Sequence, residues 1–118
     1  MKKLKVFKQV AEHLLDQNEK SEDKHGCYYL HPANGLKCAL GCLIEDQYYT
    51  PEIEEKTLES SVVALAVANS LGSPITTSDR EILDALQDLH DYKDAKDWKK
   101  ELNILSMEFF DKPLEEIL

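Results

Sequence analysis

The chain has 118 residues, of which 42% are hydrophobic and 31% are charged, and its formal net charge is −9. This length and composition fit a single globular domain, residues 1–118, with one core, and no run of about 18 apolar residues is present that would cross a membrane. The N-terminus is basic but lacks a continuous apolar stretch, which is typical of an amphipathic helix and not of a signal peptide. A cytoplasmic protein without a membrane partner is expected.

The charge of the chain is unevenly distributed. The first eight residues carry +4, whereas the rest of the chain carries 10 basic and 23 acidic side chains, a charge of −13. Arg80 is the single arginine. Because phosphate recognition relies on clusters of arginine and lysine, this acidic body argues against direct binding of nucleic acid, except at the lysine-rich N-terminus. A protein partner with a basic surface is favoured instead.

The first part of the chain predicts a helix, a loop and a short hairpin. Apolar residues recur at helical spacing within residues 4–17, as Phe7, Val10, Ala11, Leu14 and Leu15. The polar run at 17–26 predicts an exposed loop. Strand-forming residues at 27–30, followed by the turn signal HPANG, predict a β-hairpin near residues 27–38.

Two buried helices are predicted in the middle of the chain. Residues 37–45 are apolar on nearly every side, a pattern typical of a buried helix. Thr50 and Pro51 predict the start of the next helix, as its N-cap and first helical residue, and Gly72 predicts its end. The acidic residues that follow Pro51 would complement the positive end of this helix.

Two further helices and a closing turn are predicted toward the C-terminus. Ser78 and Glu81 match the capping-box pattern at the start of the first of them. Trp98, Leu102, Leu105 and Phe109 mark the second at helical spacing, and Pro113 predicts its end. Together the segments predict a mainly α, single compact domain of about five helices, with at most one short β-hairpin.

The segment GLKCALGCLI places Cys38 and Cys42 four residues apart, on one face of the predicted helix. Two thiolates at this spacing could supply half of a zinc site, with Cys27, His31 or His90 completing it. Structural zinc sites more commonly use closely spaced CxxC pairs, however, and free cysteine packs as a small buried hydrophobe. The packing interpretation is therefore favoured, and no metal or other cofactor is predicted.

A cysteine-dependent enzyme is the main alternative to a binding protein. The positive end of a helix at Cys38 would lower the pKa of its thiol, and His90 and Asp91 could supply a base and the group that orients it. Neighbours on a helix point in different directions, so we expect His90 and Asp91 not to form a dyad. These three residues are the candidate catalytic set, and Cys38, Cys42 and His90 are the candidate metal ligands.

Gly41 lies inside the predicted buried helix, where glycine costs about 1 kcal/mol relative to alanine. We therefore expect another helix to cross closely at this residue, with Trp98 as its large partner. Two tyrosine pairs flank the same segment, and in each pair one ring should face the core and one the solvent. The predicted binding surface comprises Glu45, Asp46, Tyr48 and Tyr49.

The segments GLKCALGCLI, EDQYYTPEIE and LQDLHD, with a late helix around Trp98, resemble those of a family of small proteins encoded by bacteriophages and prophages. Glu45 departs from the family pattern, which has proline there. The resemblance implies a phage or prophage source, and hence the host cytoplasm, and it implies no activity. With the acidic body, it favours an accessory protein that acts by binding another protein; a small zinc- or ligand-binding helical module is a further alternative. The matching residues are Cys38, Gly41, Cys42, His90, Asp91 and Trp98.

Overall fold

In a computed structural model of residues 1–118, five α-helices and one two-stranded antiparallel hairpin surround a single hydrophobic core. The helices are α1 (Lys3–Gln17), α2 (Ser61–Leu71), α3 (Thr77–Tyr92), α4 (Trp98–Phe110) and α5 (Leu114–Ile117). The mainly α fold predicted from helical spacing is confirmed. None of the helices combines the length and the apolar composition that a membrane-spanning helix requires.

Helices α1, α3 and α4 pack against one another and form the frame of the molecule. Each buries the stripe that its sequence predicted, represented by Phe7 on α1, Leu86 on α3 and Trp98 on α4. Helices α1 and α3 run in the same direction, as contacts at both of their ends show. The Met1 ammonium group lies 3.4 Å from Asp79 Oδ2 at the N-terminal ends. Near the C-terminal ends, the N–H of Ser21, which follows α1, donates to His90 Nε2 of α3.

The end of α2 at Gly72 agrees with the prediction, whereas the N-terminal cap of α3 differs from the predicted one. Gly72 ends α2 with φ of 74°, the left-handed conformation that favours glycine at this position. The capping box of α3 is formed by Thr76 and Asp79, two residues before the predicted Ser78 and Glu81. Asp79 also receives the N-terminal ammonium group, so the earlier of the two overlapping box patterns is the one that is stabilised.

The β-structure is shorter and lies earlier than predicted. Strand β1 (Glu22–Asp23) pairs with β2 (Gly26–Cys27) in a tight hairpin at the end of the polar run, residues 17–26, that predicted a loop. The two arms expected at residues 27–38 meet at a single bridge between Leu30 and Lys37.

The predicted buried helix at residues 37–45 is wrong. The segment is buried but contains only a 3₁₀ turn at Gly41–Leu43, and Ile44 is already extended. Side chains of neighbouring helices take up its backbone donors: the Leu40 N–H donates to Gln87 Oε1 at 3.0 Å, and the Glu45 N–H donates to Ser70 Oγ at 2.9 Å. Apolar composition therefore predicted the burial of this segment and not its backbone conformation.

The predicted helix start at Thr50 and Pro51 is also wrong. Pro51–Ile53 forms one 3₁₀ turn, and α2 begins only at Ser61. Between them Glu55 adopts a positive φ of 65°, which is incompatible with a continuous helix.

Polar side chains of the helices hold the long irregular segment between α1 and α2. Gln17, at the end of α1, pairs with Lys37 as a neighbouring strand would: the Lys37 N–H donates to Gln17 Oε1 at 3.0 Å, and Gln17 Nε2 donates to the Lys37 carbonyl at 2.8 Å. Gln87 of α3 serves the Leu40 backbone in the same way. These side chains replace the regular ladders that the segment lacks.

Gly41 does mark a close approach, but not of a helix. A Cβ atom at this position would lie 2.0 Å from the carbonyl oxygen of Tyr29, so the extended strip preceding Gly41 is what passes here. Trp98 is not the partner of Gly41; its ring lies 5.5 Å from the ring of His90. The expectation of a helix crossing is therefore replaced by a crossing of two irregular strips.

Candidate functional site

A cleft of about 430 Å³ opens between α3 and two segments without regular secondary structure, residues 27–29 and 55–59. Helix α3 forms one wall, residues 55–59 form the opposite wall, and residues 27–29 contribute to the lining between them. Because α3 buries its apolar stripe against α1 and α4, its polar stripe faces this opening.

The lining of the cleft is strongly acidic. Five carboxylates reach it against a single lysine, Lys56; they are Glu55, Glu59, Asp84, Asp88 and Asp91. Burial raises the pKa of Asp84, and the charges of Asp88 and Glu59 raise it further, against the lowering effect of Arg80. The carboxylates thus repel one another, which favours a cation between them.

Asp91 is the most firmly held of these carboxylates. His90 Nδ1 lies 2.8 Å from Asp91 Oδ1, and Gln87 Nε2 donates to the same oxygen at 2.8 Å. The Cys27 thiol also hydrogen-bonds to the Asp91 carboxylate. Asp91 therefore lines the cleft as a fixed carboxylate, and the two oxygens of an ionised carboxylate offer enough lone pairs to accept a further bond from a ligand.

The tautomer of His90 follows from its two partners. The backbone N–H of Ser21 donates to His90 Nε2 at 3.0 Å, so Nε2 is an acceptor and the proton lies on Nδ1, which donates to Asp91. His90 has no solvent exposure. Both ring nitrogens are occupied, and neither can serve as a base for a nucleophile.

The expectation that His90 and Asp91 do not interact is wrong. Nδ1 is the ring nitrogen closest to the histidine backbone, so the short side chain of the next residue can reach it. The cysteine that the fold brings near this pair is Cys27. Its sulfur, one ring nitrogen of His90 and one carboxylate oxygen of Asp91 all lie within 4.8 Å of one another. The predicted nucleophile Cys38 is instead buried, with its sulfur accepting the Gly41 N–H at 3.4 Å.

The group of Cys27, His90 and Asp91 does not fit a metal ion. A metal on Nδ1 would move the imidazole proton to Nε2, where it would face the N–H of Ser21. Two donors would then oppose each other in a buried site, which is costly. The structure does not bring the predicted ligands Cys38, Cys42 and His90 together as a metal-binding group.

All three thiols are held in the protonated form. Burial raises the pKa of Cys27 to about 12, and the carboxylates of Asp91 and Glu22 act in the same direction. Burial also raises the pKa of Cys42 to about 12 and shifts the pKa of Cys38 upward. A nucleophilic cysteine needs a lowered pKa, so the electrostatics of the cleft oppose thiolate chemistry.

We expect slow alkylation of the native thiols at pH 8. With a pKa of about 12 in place of 9.0, the thiolate fraction of Cys27 and Cys42 falls about a thousandfold. The rate with iodoacetamide, followed by mass spectrometry, should rise about tenfold per pH unit between pH 8 and pH 10. Asp91→Asn should speed the reaction of Cys27 and leave that of Cys42 unchanged. Rapid labelling of native Cys27 at pH 7 would contradict this assignment.

Two of the four residues of the predicted binding surface are exposed, and the other two contribute to the packing of the fold. Glu45 and Asp46 are exposed, whereas both tyrosine rings are half-buried. The Tyr49 hydroxyl donates to Glu54 Oε2 at 2.7 Å, and the same carboxylate accepts the backbone N–H groups of residues 29 and 30. Tyr49 thus helps to hold the fold, and Tyr48 packs against the core.

Sequence reasoning missed the acidic wall of the cleft, although its signal is present. Asp84, Gln87, Asp88 and Asp91 are spaced i, i+3, i+4 and i+7, so a helix aligns them on one face. The contribution of residues 55–59 to the cleft was missed, because the sequence pattern predicts a helix at these residues.

The resemblance to phage and prophage proteins stays a prediction. Comparison of the chain with protein-family models, curated proteins and solved structures gives no match. The function of the cleft therefore has to follow from the chemistry of its lining.

Proposed function

We propose that the chain is a binding protein that receives a basic side chain of a protein partner in the acidic cleft, and that it acts by contact and not by catalysis. One observation carries this proposal: five carboxylates and one lysine line an opening of about 430 Å³. A volume of this size accommodates a long cationic side chain.

Arginine or lysine is the chemical group that the lining would recognise. Asp91 offers an oriented oxygen, and Asp84 and Asp88 stand on the same wall of α3. Moving a cation between carboxylates that repel one another relieves that repulsion. The ring of Tyr92, which is 78% exposed, lies at the cleft and could cover the flat guanidinium group of arginine.

The enzyme alternative has less support from the geometry. It needs a thiolate, a free imidazole nitrogen and an acid, whereas the thiols have raised pKa values and both nitrogens of His90 are occupied. The same acidic lining would repel nucleic acid.

The test is a titration with short peptides, followed by NMR shifts of the ¹⁵N-labelled protein. One peptide carries a central arginine, and its control carries citrulline, which has the same shape without the charge. We expect shifts around residues 84–91 with the arginine peptide only, and weaker binding at higher salt.

Two pairs of substitutions locate the binding. Asp84→Asn with Asp88→Asn should weaken binding by about tenfold or more, whereas Glu108→Gln with Glu115→Gln, exposed residues away from the cleft, removes the same charge and should not. A third pair, Glu45→Gln with Asp46→Asn, tests the exposed part of the surface predicted from sequence without removing a side chain that packs against the core. Equal binding of arginine and citrulline peptides, or loss only in this third variant, would refute the role of the cleft.

A further inference from the structure

We infer that the partner segment carries an aliphatic side chain about three residues from its basic one, and that this side chain occupies a groove between α3 and α4. The inference rests on the proposed function, since the acidic cleft is what holds the segment in place. The groove has a volume of about 300 Å³, which is ample for an aliphatic side chain such as that of leucine.

The floor of the groove is aliphatic and its edges are charged. Ala85 and Leu89 of α3 face Leu105 of α4, and Lys93 and Glu101 stand at the edges. The small side chain of Ala85 is what leaves space on the α3 side. An aliphatic group placed here would lose part of its contact with water, whereas the polar backbone of the ligand could remain at the charged edges.

The groove is continuous with the acidic cleft. Asp88 and Tyr92 line both openings, and they lie one turn apart on the ridge of α3 that separates them. A chain that crosses this ridge therefore contacts carboxylates on one side and aliphatic carbons on the other. The occupant that fits both sides is an extended peptide segment with one basic and one aliphatic side chain.

Helix dimensions set the spacing of the two side chains. The two openings lie on adjacent faces of α3 and share Asp88 and Tyr92, so the path over the ridge between them is comparable to the width of a helix with its side chains, about 10 Å. An extended chain advances about 3.3 Å per residue. Three residues therefore span the ridge, which predicts the spacing Arg-x-x-Leu or its reverse.

The experiment compares peptides on the wild-type protein by NMR titration. We expect Arg-x-x-Leu or Leu-x-x-Arg to bind about tenfold more tightly than the same peptide with alanine in place of leucine. A peptide with arginine and leucine adjacent should show no such gain. Shifts of residues 85, 89 and 105 should accompany the gain.

Ala85→Gln tests the groove directly, since glutamine suits a helix and fills the space. It should abolish the tenfold gain and leave the arginine–alanine peptide unaffected. Ile104→Gln is the matched control, because Ile104 is 52% exposed on α4 and does not line the groove.

The outcomes separate the two proposals. If no arginine peptide binds, the proposed function fails, and this inference fails with it. If the arginine peptides bind but leucine adds nothing at either spacing, only the inference is overturned. A gain that persists in Ala85→Gln, or Ala85→Gln dissociating a dimer of the chain, would also overturn it, because the leucine side chain would bind elsewhere or the groove would belong to a second copy.

Discussion

Gly41→Ala is expected to lower the melting temperature by about 12 °C, although it adds a single methyl group. The new Cβ would lie 2.0 Å from the Tyr29 carbonyl oxygen, so one of two buried backbone strips has to move. Overpacking of a core costs up to about 3 kcal/mol, and about 4 °C are lost per kcal/mol in a chain of this size. Gly41→Leu should be at least as damaging.

The control for this substitution is Gly72→Ala, followed by the same thermal unfolding. Gly72 has open space around it but a positive φ, so alanine there costs only the strain of the left-handed conformation, about 1–2 kcal/mol. Without the contact at Tyr29, alanine at position 41 would stabilise the protein by about 0.4–1 kcal/mol through the unfolded chain. An unchanged or higher melting temperature for Gly41→Ala would therefore show that the two strips do not meet.

His90→Ala is the second substitution with a large expected effect, a loss of about 3 kcal/mol in the free energy of unfolding. It opens a cavity beside Trp98 and leaves the buried N–H of Ser21 without an acceptor. Each of these effects alone costs on the order of 1–3 kcal/mol. Urea denaturation measures the sum.

Two further variants at the same position separate the hydrogen bonds. His90→Gln places an oxygen near the position of Nε2 and can still accept from Ser21, and His90→Asn places a donor near the position of Nδ1 for Asp91. Both should be more stable than His90→Ala. If all three variants unfold at the same urea concentration, the hydrogen bonds contribute little to stability and the packing of His90 against Trp98 dominates.

The sequence predicted the frame well because periodicity is a strong signal in long helices. Phe7 on α1 and Leu86 on α3 belong to stripes that recur every three or four residues, and only a helix brings such residues to one face. The same reasoning failed after Cys38, where residues 39–44 are all apolar and no face can be distinguished. Burial could be predicted there, and backbone conformation could not.

The candidate site was predicted only in part, because its members come from distant parts of the chain. The sequence indicated His90 and Asp91 as members of the site and Cys38 as their nucleophile, whereas the structure places Cys27 beside them. The spacing of Cys38 and Cys42 drew attention to a local pair, whereas the hairpin that brings Cys27 to α3 depends on a tertiary contact between Ser21 and His90. Composition indicated a basic partner, and the binding surface predicted for it around Tyr48 and Tyr49 lies outside the lining of the cleft.

The pairing of Gln17 with Lys37 has a consequence for how this protein tolerates change. Substitutions of polar residues near the surface usually change stability little, yet Gln17 accepts the Lys37 N–H and, beside His13, contacts the Lys37 carbonyl as a donor. We expect substitution of the half-buried Gln17 to cost about 1 kcal/mol for each hydrogen bond lost, with glutamate losing the donor and leucine losing both donor and acceptor. Because side-chain amides of the helices order the irregular segment between α1 and α2, the positions that tolerate substitution poorly in this chain include polar ones.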